Sequence, residues 1–364
     1  MELYIFDREL NLINIVDNFK SLIWTRRYYK SGEFELHIPL TSENIKYLIK
    51  GNIVYKKDDS EAGYIETRQI EVDEEGNEKL KINGKFITNY MNRRINWGQL
   101  LFNGKSEVLM RKLVNDNCIN PSNINRKIPL FELGTLKNYT ETIEYQNSYG
   151  NIVDELESIA LTNDLGYRIN FSHIDKKIIF EVYKGVNRSV NQSLIAPCIF
   201  SRDFENILNQ TYMESNNNYK NTALVAGEGE GTKRVLVPIN NSISGLERYE
   251  LFVDARDLQK EVDDKVLTDT EYKNTLIQRG NEKLAEYKEI KTFESKVNTK
   301  GNNVYKVDYD LGDIVTVVDK KWGIMLDTRI TEVEEVYEEG KVEINPTFGE
   351  NVPTILDKIK RMVK

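Results

Sequence analysis

Histidine and cysteine are almost missing from this chain, with two of each in 364 residues. His37 and His173 stand alone, no HExxH pair occurs and the cysteines do not cluster, so the donor sets of catalytic and structural zinc sites are lacking. Cys118 and Cys198 do not form a secreted disulfide framework, which points to a reducing compartment. Cys118 has no histidine near it in sequence, so a packed thiol is expected there rather than a nucleophile. A basic stripe is also lacking: lysines and arginines are scattered among carboxylates and the net charge is -8, which argues against tight nucleic-acid binding. No run approaches the roughly 18 apolar residues of a membrane span, and the opening MELYIFDREL is acidic where a signal peptide is basic and then apolar. The expectation is a protein made in the cytoplasm and not inserted in a membrane.

Tyrosine is abundant, with 20 residues, and proline is sparse, with 7, a mixture suited to half-buried strands and large contact surfaces. Alternation in GEFELHIPL puts Phe34, Leu36 and Ile38 on one face and Glu33, Glu35 and His37 on the other. A short helix is expected from Ser42, as cap, to Gly51, as stop, followed by strands in GNIVYKK, GYIETRQIEV and KLKINGKFI. From about Ser106 the period becomes helical, with Val108, Leu109 and Leu113 in one helix. Ile152, Leu156, Ile159 and Ala160 mark another ahead of the strand pair GYRINF and KIIFEVY. Strands return in FENILNQTYME and NTALVAGEGEG. Thr268 and Glu271 stand in capping-box spacing before a long helix reaching about Ile290, and YKVDYDLGDIVTVVD, GIMLDTRITEVEEVYEE and KVEINPTF are strands again.

An ungapped shift of 261 residues lays Gly51, Ile53, Val54 and Asp58 on Gly312, Ile314, Val315 and Asp319. It also lays Thr67, Arg68, Glu71 and Val72 on Thr328, Arg329, Glu332 and Val333. Two unrelated hairpins sharing turn glycines and β-branched residues would be the bland explanation; duplication is preferred. So long a spacing implies two homologous β-domains with other material between them, not a solenoid. Three chains carrying two like domains each would present six around one axis.

The stretches SLIWTRRYYKSGEFELHIPL, FSRDFENILNQTY, NTALVAGEGEG, RYELFVDARDL and YDLGDIVTV leading to DTRITEVEEVYE, in this order, resemble the siphophage tail-hub proteins labelled Gp37-like. Such proteins are similar to the baseplate hubs of contractile phages. The resemblance implies a homotrimer with two tube-type β-barrel domains per chain, joining a hexameric tail tube to a threefold tip or spike. The implied fold class is α+β, mainly β, with two homologous barrels, an intervening α+β module and a long helix. Its domains are expected at 1–100, 101–200 and 201–350, the last with a helical insertion at about 255–295, followed by a tail at 351–364. The implied partners are further copies of this chain, the tail tube or distal tail protein, and the spike or tip protein, with the tape-measure protein a further candidate. The implied location is the virion tail. The chain stops soon after Phe348 with ILDKIKRMVK, so a fused receptor-binding or wall-cutting domain is expected on other chains.

No catalytic, cofactor or metal residues are assigned. GEGEGTKR, Gly227 to Arg234, lacks P-loop spacing and is expected to be a solvated turn. Asp203 with Glu205, or Asp254 with Asp257, would have to flank one glycosidic bond to act as a hydrolase pair. DARD is expected instead to supply ion-pair partners for Arg256. The aromatic and basic cluster Trp24, Arg26, Arg27, Tyr28 and Tyr29 has the composition of an interface hot spot, and a strand with buried rings and solvated arginines is equally compatible with it. Arg68 and Arg329 join it as assembly candidates through the repeat. A tail-associated wall hydrolase and a host-glycan-binding tail protein remain the alternatives in function.

Overall fold

In the computed structural model, residues 1–349 are described, apart from 58, 73, 263, 264 and 339. The strands in chain order are β1 (Leu3–Phe6), β2 (Leu12–Val16), β3 (Ser21–Arg27), β4 (Glu33–Pro39), β5 (Ile53–Lys56), β6 (Ala62–Val72), β7 (Glu78–Phe86), β8 (Gln99–Lys105), β9 (Phe131–Leu133), β10 (Thr142–Ser148), β11 (Gly166–Ser172) and β12 (Lys177–Tyr183). They continue with β13 (Ile199–Ser201), β14 (Ile207–Ser215), β15 (Thr222–Ala226), β16 (Leu236–Ile239), β17 (Glu250–Asp254), β18 (Glu261–Val262), β19 (Lys265–Val266), β20 (Ile290–Val297), β21 (Ile314–Asp319), β22 (Ile324–Glu338) and β23 (Lys341–Gly349). The α-helices are α1 (Ser42–Tyr47), α2 (Ser106–Val114), α3 (Ile152–Asn163) and α4 (Asp269–Ala285). The chain is α+β and mainly β, and it divides into two compact units.

The first unit takes Met1–Phe86, Lys184–Ser215 and Ile290 onward. Its strands form one 13-stranded sheet in the order β14-β20-β23-β22-β3-β4-β7-β6-β5-β1-β2, with β21 on β22 and β13 on β21. Two separate closed barrels were expected; among the described residues the pairing closes no barrel, and the first and last strand blocks are arms of a single sheet. The joint is β22, whose early half pairs with β21 and whose later half, from Glu332, pairs with β3. Strict alternation in β4 and β7 buries Phe34, Leu36, Ile38, Leu80 and Ile82 in a core with Trp24 and Phe86. The Trp24 ring lies 4.5 Å from Phe86 and 5.7 Å from Phe34, centroid to centroid.

The duplication is present in three dimensions. Strands β5-β6-β7-β4-β3 recur, with the same neighbours and the same antiparallel pairings, as β21-β22-β23-β20-β14. Gly51 and Gly312 each enter their hairpin at φ +92°, a left-handed conformation favourable only to glycine. Each donates its N–H to a buried isoleucine, Gly51 to Ile65 at 2.8 Å and Gly312 to Ile330 at 2.9 Å. Just beyond that isoleucine both second strands carry a bulge, between Ile65 and Thr67 and between Ile330 and Glu332. The structural shift is therefore 261 residues for β5 and 265 for β6, because the β21–β22 hairpin is four residues longer. Thr67 and Arg68 correspond to Glu332 and Val333, so their match to Thr328 and Arg329 is a coincidence of the ungapped comparison. Asp58 lies outside the described residues. The last difference is an insertion: the turn between β3 and β4 covers 28–32, whereas between β14 and β20 the chain leaves for the second unit.

The second unit is Ile87–Tyr183 with Asn216–Glu289. Its small sheets are β8 with β10, β11-β12-β9, β16-β15-β17 and β18 with β19. Helix α4 starts with the expected capping box, Thr268 and Glu271 bonding each other's backbone N–H, and it ends at Ala285, short of Ile290. It packs Tyr272 and Leu276 on Val225 and Val253, and the missing side chain of Gly280 makes room for Ile239 and Val225. In the first unit, the cap of α1 is Thr41, not Ser42, because Thr41 has the extended conformation that lets its hydroxyl accept from the Asn44 N–H. That helix ends at Tyr47, and Gly51 serves the hairpin instead.

Candidate functional site

The sequence-derived candidates fall into two groups. Trp24, Arg26, Tyr28 and Arg329 are buried in the first unit. Arg26 donates to Glu61 at 3.1 Å, to Asp310 at 2.9 Å and to the Tyr305 hydroxyl at 2.8 Å. Arg329 donates to the Gly312 carbonyl and stacks on Tyr28, 4.9 Å from the ring centre, and Tyr29 sits edge-on to Tyr28 at 4.8 Å. Arg27 is half-buried and reaches Glu332 at 2.6 Å across the β22–β3 joint and Glu33 of β4 at 2.7 Å on the other side. The cluster thus joins the two repeats inside one chain. Arg68 lies apart from it, on the outer half of β6.

Sequence reasoning missed the charge network beneath this joint. Lys56 reaches Asp59 at 2.9 Å and also Glu335, while Lys306 reaches Asp59 at 3.2 Å. Burial alone would lower the Lys56 ammonium, but Asp59 and Glu335 outweigh it and raise its pKa above the ordinary lysine value. Burial likewise works against the Asp59 carboxylate, and Lys56, Arg26 and Lys306 hold its pKa far below the ordinary range. Buried charges of this kind persist only when paired, and removing one partner is costly. A signal was available: in TEVEEVYEE, Glu335 occupies the inward phase of an alternating strand, between Val333 and Tyr337.

On the face opposite the core, charged residues form a paired ladder. Glu35 meets Lys81 at 2.8 Å and His37 at 2.6 Å, and Glu33 meets Arg27 and Lys85. Despite partial burial, these hydrogen bonds pull Glu33 and Glu35 down to about 2.

The suspected chemical groups are committed to structure. Asp254 is bridged by Arg234 at 2.6 Å and Arg256 at 2.7 Å, Asp257 by Arg279 at 3.0 Å, and Asp203 by Lys320 at 2.9 Å. The GEGEGTKR segment is the turn between β15 and β16, with Arg234 donating to the Gly227 and Ala226 carbonyls. Burial pushes both cysteine thiols up to about 12, far from nucleophilic. No cluster of three or more metal-ligating residues occurs among the described residues. A cleft of about 640 Å³ in the second unit is lined by Trp97, Lys112, Asp116 and Arg126. Its charges are also engaged, Lys112 with Asp116 at 2.6 Å and Arg126 on the Trp97 ring at 4.2 Å.

Residues 2–350 match the family described as Siphovirus ReqiPepy6 Gp37-like protein. The chain belongs to that family. Solved structures share the fold of this Gp37-like protein over nearly its whole length. A tail protein from Neisseria meningitidis MC58 is 14% identical, with 96% of each chain covered and a TM-score of 0.56. Prophage tail protein gp18 from Listeria monocytogenes EGD-e is 13% identical, covering 100% of this chain and 98% of that one at 0.55. The 43 kDa tail protein of prophage MuSo2 from Shewanella oneidensis is 12% identical, covering 96% and 98% at 0.54. No curated protein is detectably similar in sequence. The fold of this Gp37-like protein is therefore that of phage tail proteins, and no membrane-length apolar helix occurs among its described residues.

Proposed function

We propose that this Gp37-like protein is a structural hub of a phage tail, without catalytic activity, that assembles as a three-chain ring and joins the tail tube to the tip or spike. The observation that carries this reading is the duplicated five-strand unit within one sheet. Two equivalent units per chain let three chains offer six similar docking positions to a sixfold tube while remaining threefold toward the tip. The tail tube or distal tail protein, the spike protein and the tape-measure protein are the partners such a position calls for. Wall cleavage and host-glycan recognition belong to other chains in this reading, since Asp203, Asp254 and Asp257, three of the four acids suspected of catalysis, are held by basic partners.

The same reading has the ring surround part of the DNA path. The ladder face carries carboxylates, but Arg27, Lys81 and Lys85 neutralise them, so such a face would neither bind phosphate strongly nor repel it over a distance. The test is the mass of the purified chain by light scattering with particle imaging of the same sample. A three-chain ring with six lobes is expected, and a monomer across a wide concentration range would contradict self-assembly.

A further inference from the structure

The joint inside the chain is also a template. Beyond its bulge, β22 pairs antiparallel with β3, from Glu332 opposite Arg27 to Glu338 opposite Ser21. The repeat provides both partners of such a joint a second time, and among the described residues they do not meet. Past Ala62–Tyr64, which pair with β5, β6 has β7 on one side and, among the described residues, no strand on the other. At the opposite end of the sheet β14 pairs with β20 on one side, and no described strand lies on its other side. The outer half of β6 exposes Ile70 (51%) and Val72 (63%), and β14 is exposed or half-buried after Ile207 where its counterpart β3 is mostly buried. Open edges of this kind are ready to accept another strand.

We propose that β6 of one chain pairs with β14 of the next, in the register that β22 and β3 hold within the chain. This rests on the ring reading above and specifies its contact. The repeat relates β22 to β6 and, through the shared pairing with β4 and β20, β3 to β14. Carrying the internal register across sets Arg68 opposite Glu214, Ile70 opposite Tyr212 and Val72 opposite Gln210. The pairs are chemically compatible, with an opposite-charge pair beside an apolar one. The occupant is a second copy of this chain because β14 and the outer half of β6 are the two unfilled halves of a joint the chain already makes once. The two edges differ, so the contact is head-to-tail, and it closes a ring when three chains have used both edges.

Paired cysteines test the register. In a chain carrying Ile70→Cys and Tyr212→Cys, mild oxidation should link neighbours into covalent species ending at three chains. Ile70→Cys with Thr211→Cys, one residue out of register and facing the other side of the sheet, should give at least tenfold less. Arg68→Glu should lower the assembled fraction at fixed concentration about tenfold, and adding Glu214→Arg should restore it. Thermal unfolding of each variant separates loss of contact from loss of fold, and the Arg68→Glu variant, at a half-buried position, serves if a cysteine pair fails to fold. A trimer that gives no preference for the in-register link and ignores the charge exchange would overturn this seam and leave the ring reading standing. A monomer at every concentration would overturn both.

Discussion

Strands β3 and β14 occupy the same place in two copies of one unit, yet β3 has no exposed residue and is mostly buried, whereas β14 is exposed or half-buried at every position after Ile207. Each pairs on one side with its counterpart strand, β4 or β20; what differs is that β22 lies along the other side of β3 and no described strand lies along the other side of β14. Burial here is a property of the neighbour as much as of the strand. The same contrast explains why Trp24 stands at a position that Tyr212 occupies in the second copy: the first is sealed under two strands, and the second is left half-open by one.

The largest expected effect separates these two positions. Trp24→Ala should cost about 3–5 kcal/mol of first-unit stability in urea unfolding, against less than about 1 kcal/mol for Tyr212→Ala in the unassembled chain. Equal costs would break the comparison. Lys56→Met should cost about 3–5 kcal/mol by the same measurement, because it leaves Asp59 and Glu335 buried with one cation fewer beneath the joint.

A third expectation sets the second unit against the first. Glu282 is buried, and desolvation raises its carboxyl to about 7. A raised acid contributes stability that is complete below its unfolded value near 4.5 and is lost as pH rises through about 7. Glu282→Gln should therefore flatten second-unit stability between pH 5 and 8, a gain of roughly 1–3 kcal/mol at the upper end, read by hydrogen exchange of α4 amides. Smaller and paired, Gly51→Ala and Gly312→Ala should each cost at least about 1–2 kcal/mol through the same positive φ, with Gly51→Ala also displacing the Arg8 side chain, so a loss-free substitution at either would argue against equivalent hairpins. The smallest effect is acidic. Glu33 and Glu35 are depressed to about 2, so their contribution is complete above the unfolded value near 4.5 and is lost as pH falls toward 2. Solvent screening limits it to less than about 1 kcal/mol each, measurable as a shift in the urea midpoint of Glu35→Gln with pH.

Much of this was legible in local pattern. The alternation of GEFELHIPL and the capping box of Thr268 and Glu271 report local backbone demands, and the structure places them as read, whereas Gly51, expected to stop a helix, enters a hairpin as Gly312 does. The repeat was legible only as far as its first strand, because a four-residue difference in hairpin length cannot be seen by an ungapped comparison. The β22–β3 joint was not legible, since it pairs residues about 300 positions apart and no local preference encodes such a contact. For that reason Trp24, Arg26 and Tyr28 read equally well as an interface or a core; in the structure they pack within the chain. The site that repetition leaves open, Arg68 and its outer strand, carries only one weak local mark, an exposed Ile70 and Val72 in an otherwise polar stretch.

The most direct test of the central claim is a cryo-electron microscopy map of the purified, assembled chain at a resolution that separates strands. Three chains around one channel are expected, with six five-strand units joined alternately by β22–β3 within chains and β6–β14 between them. A closed assembly in which β14 and the outer half of β6 remain unpaired, or in which the two copies make unrelated contacts, would contradict it.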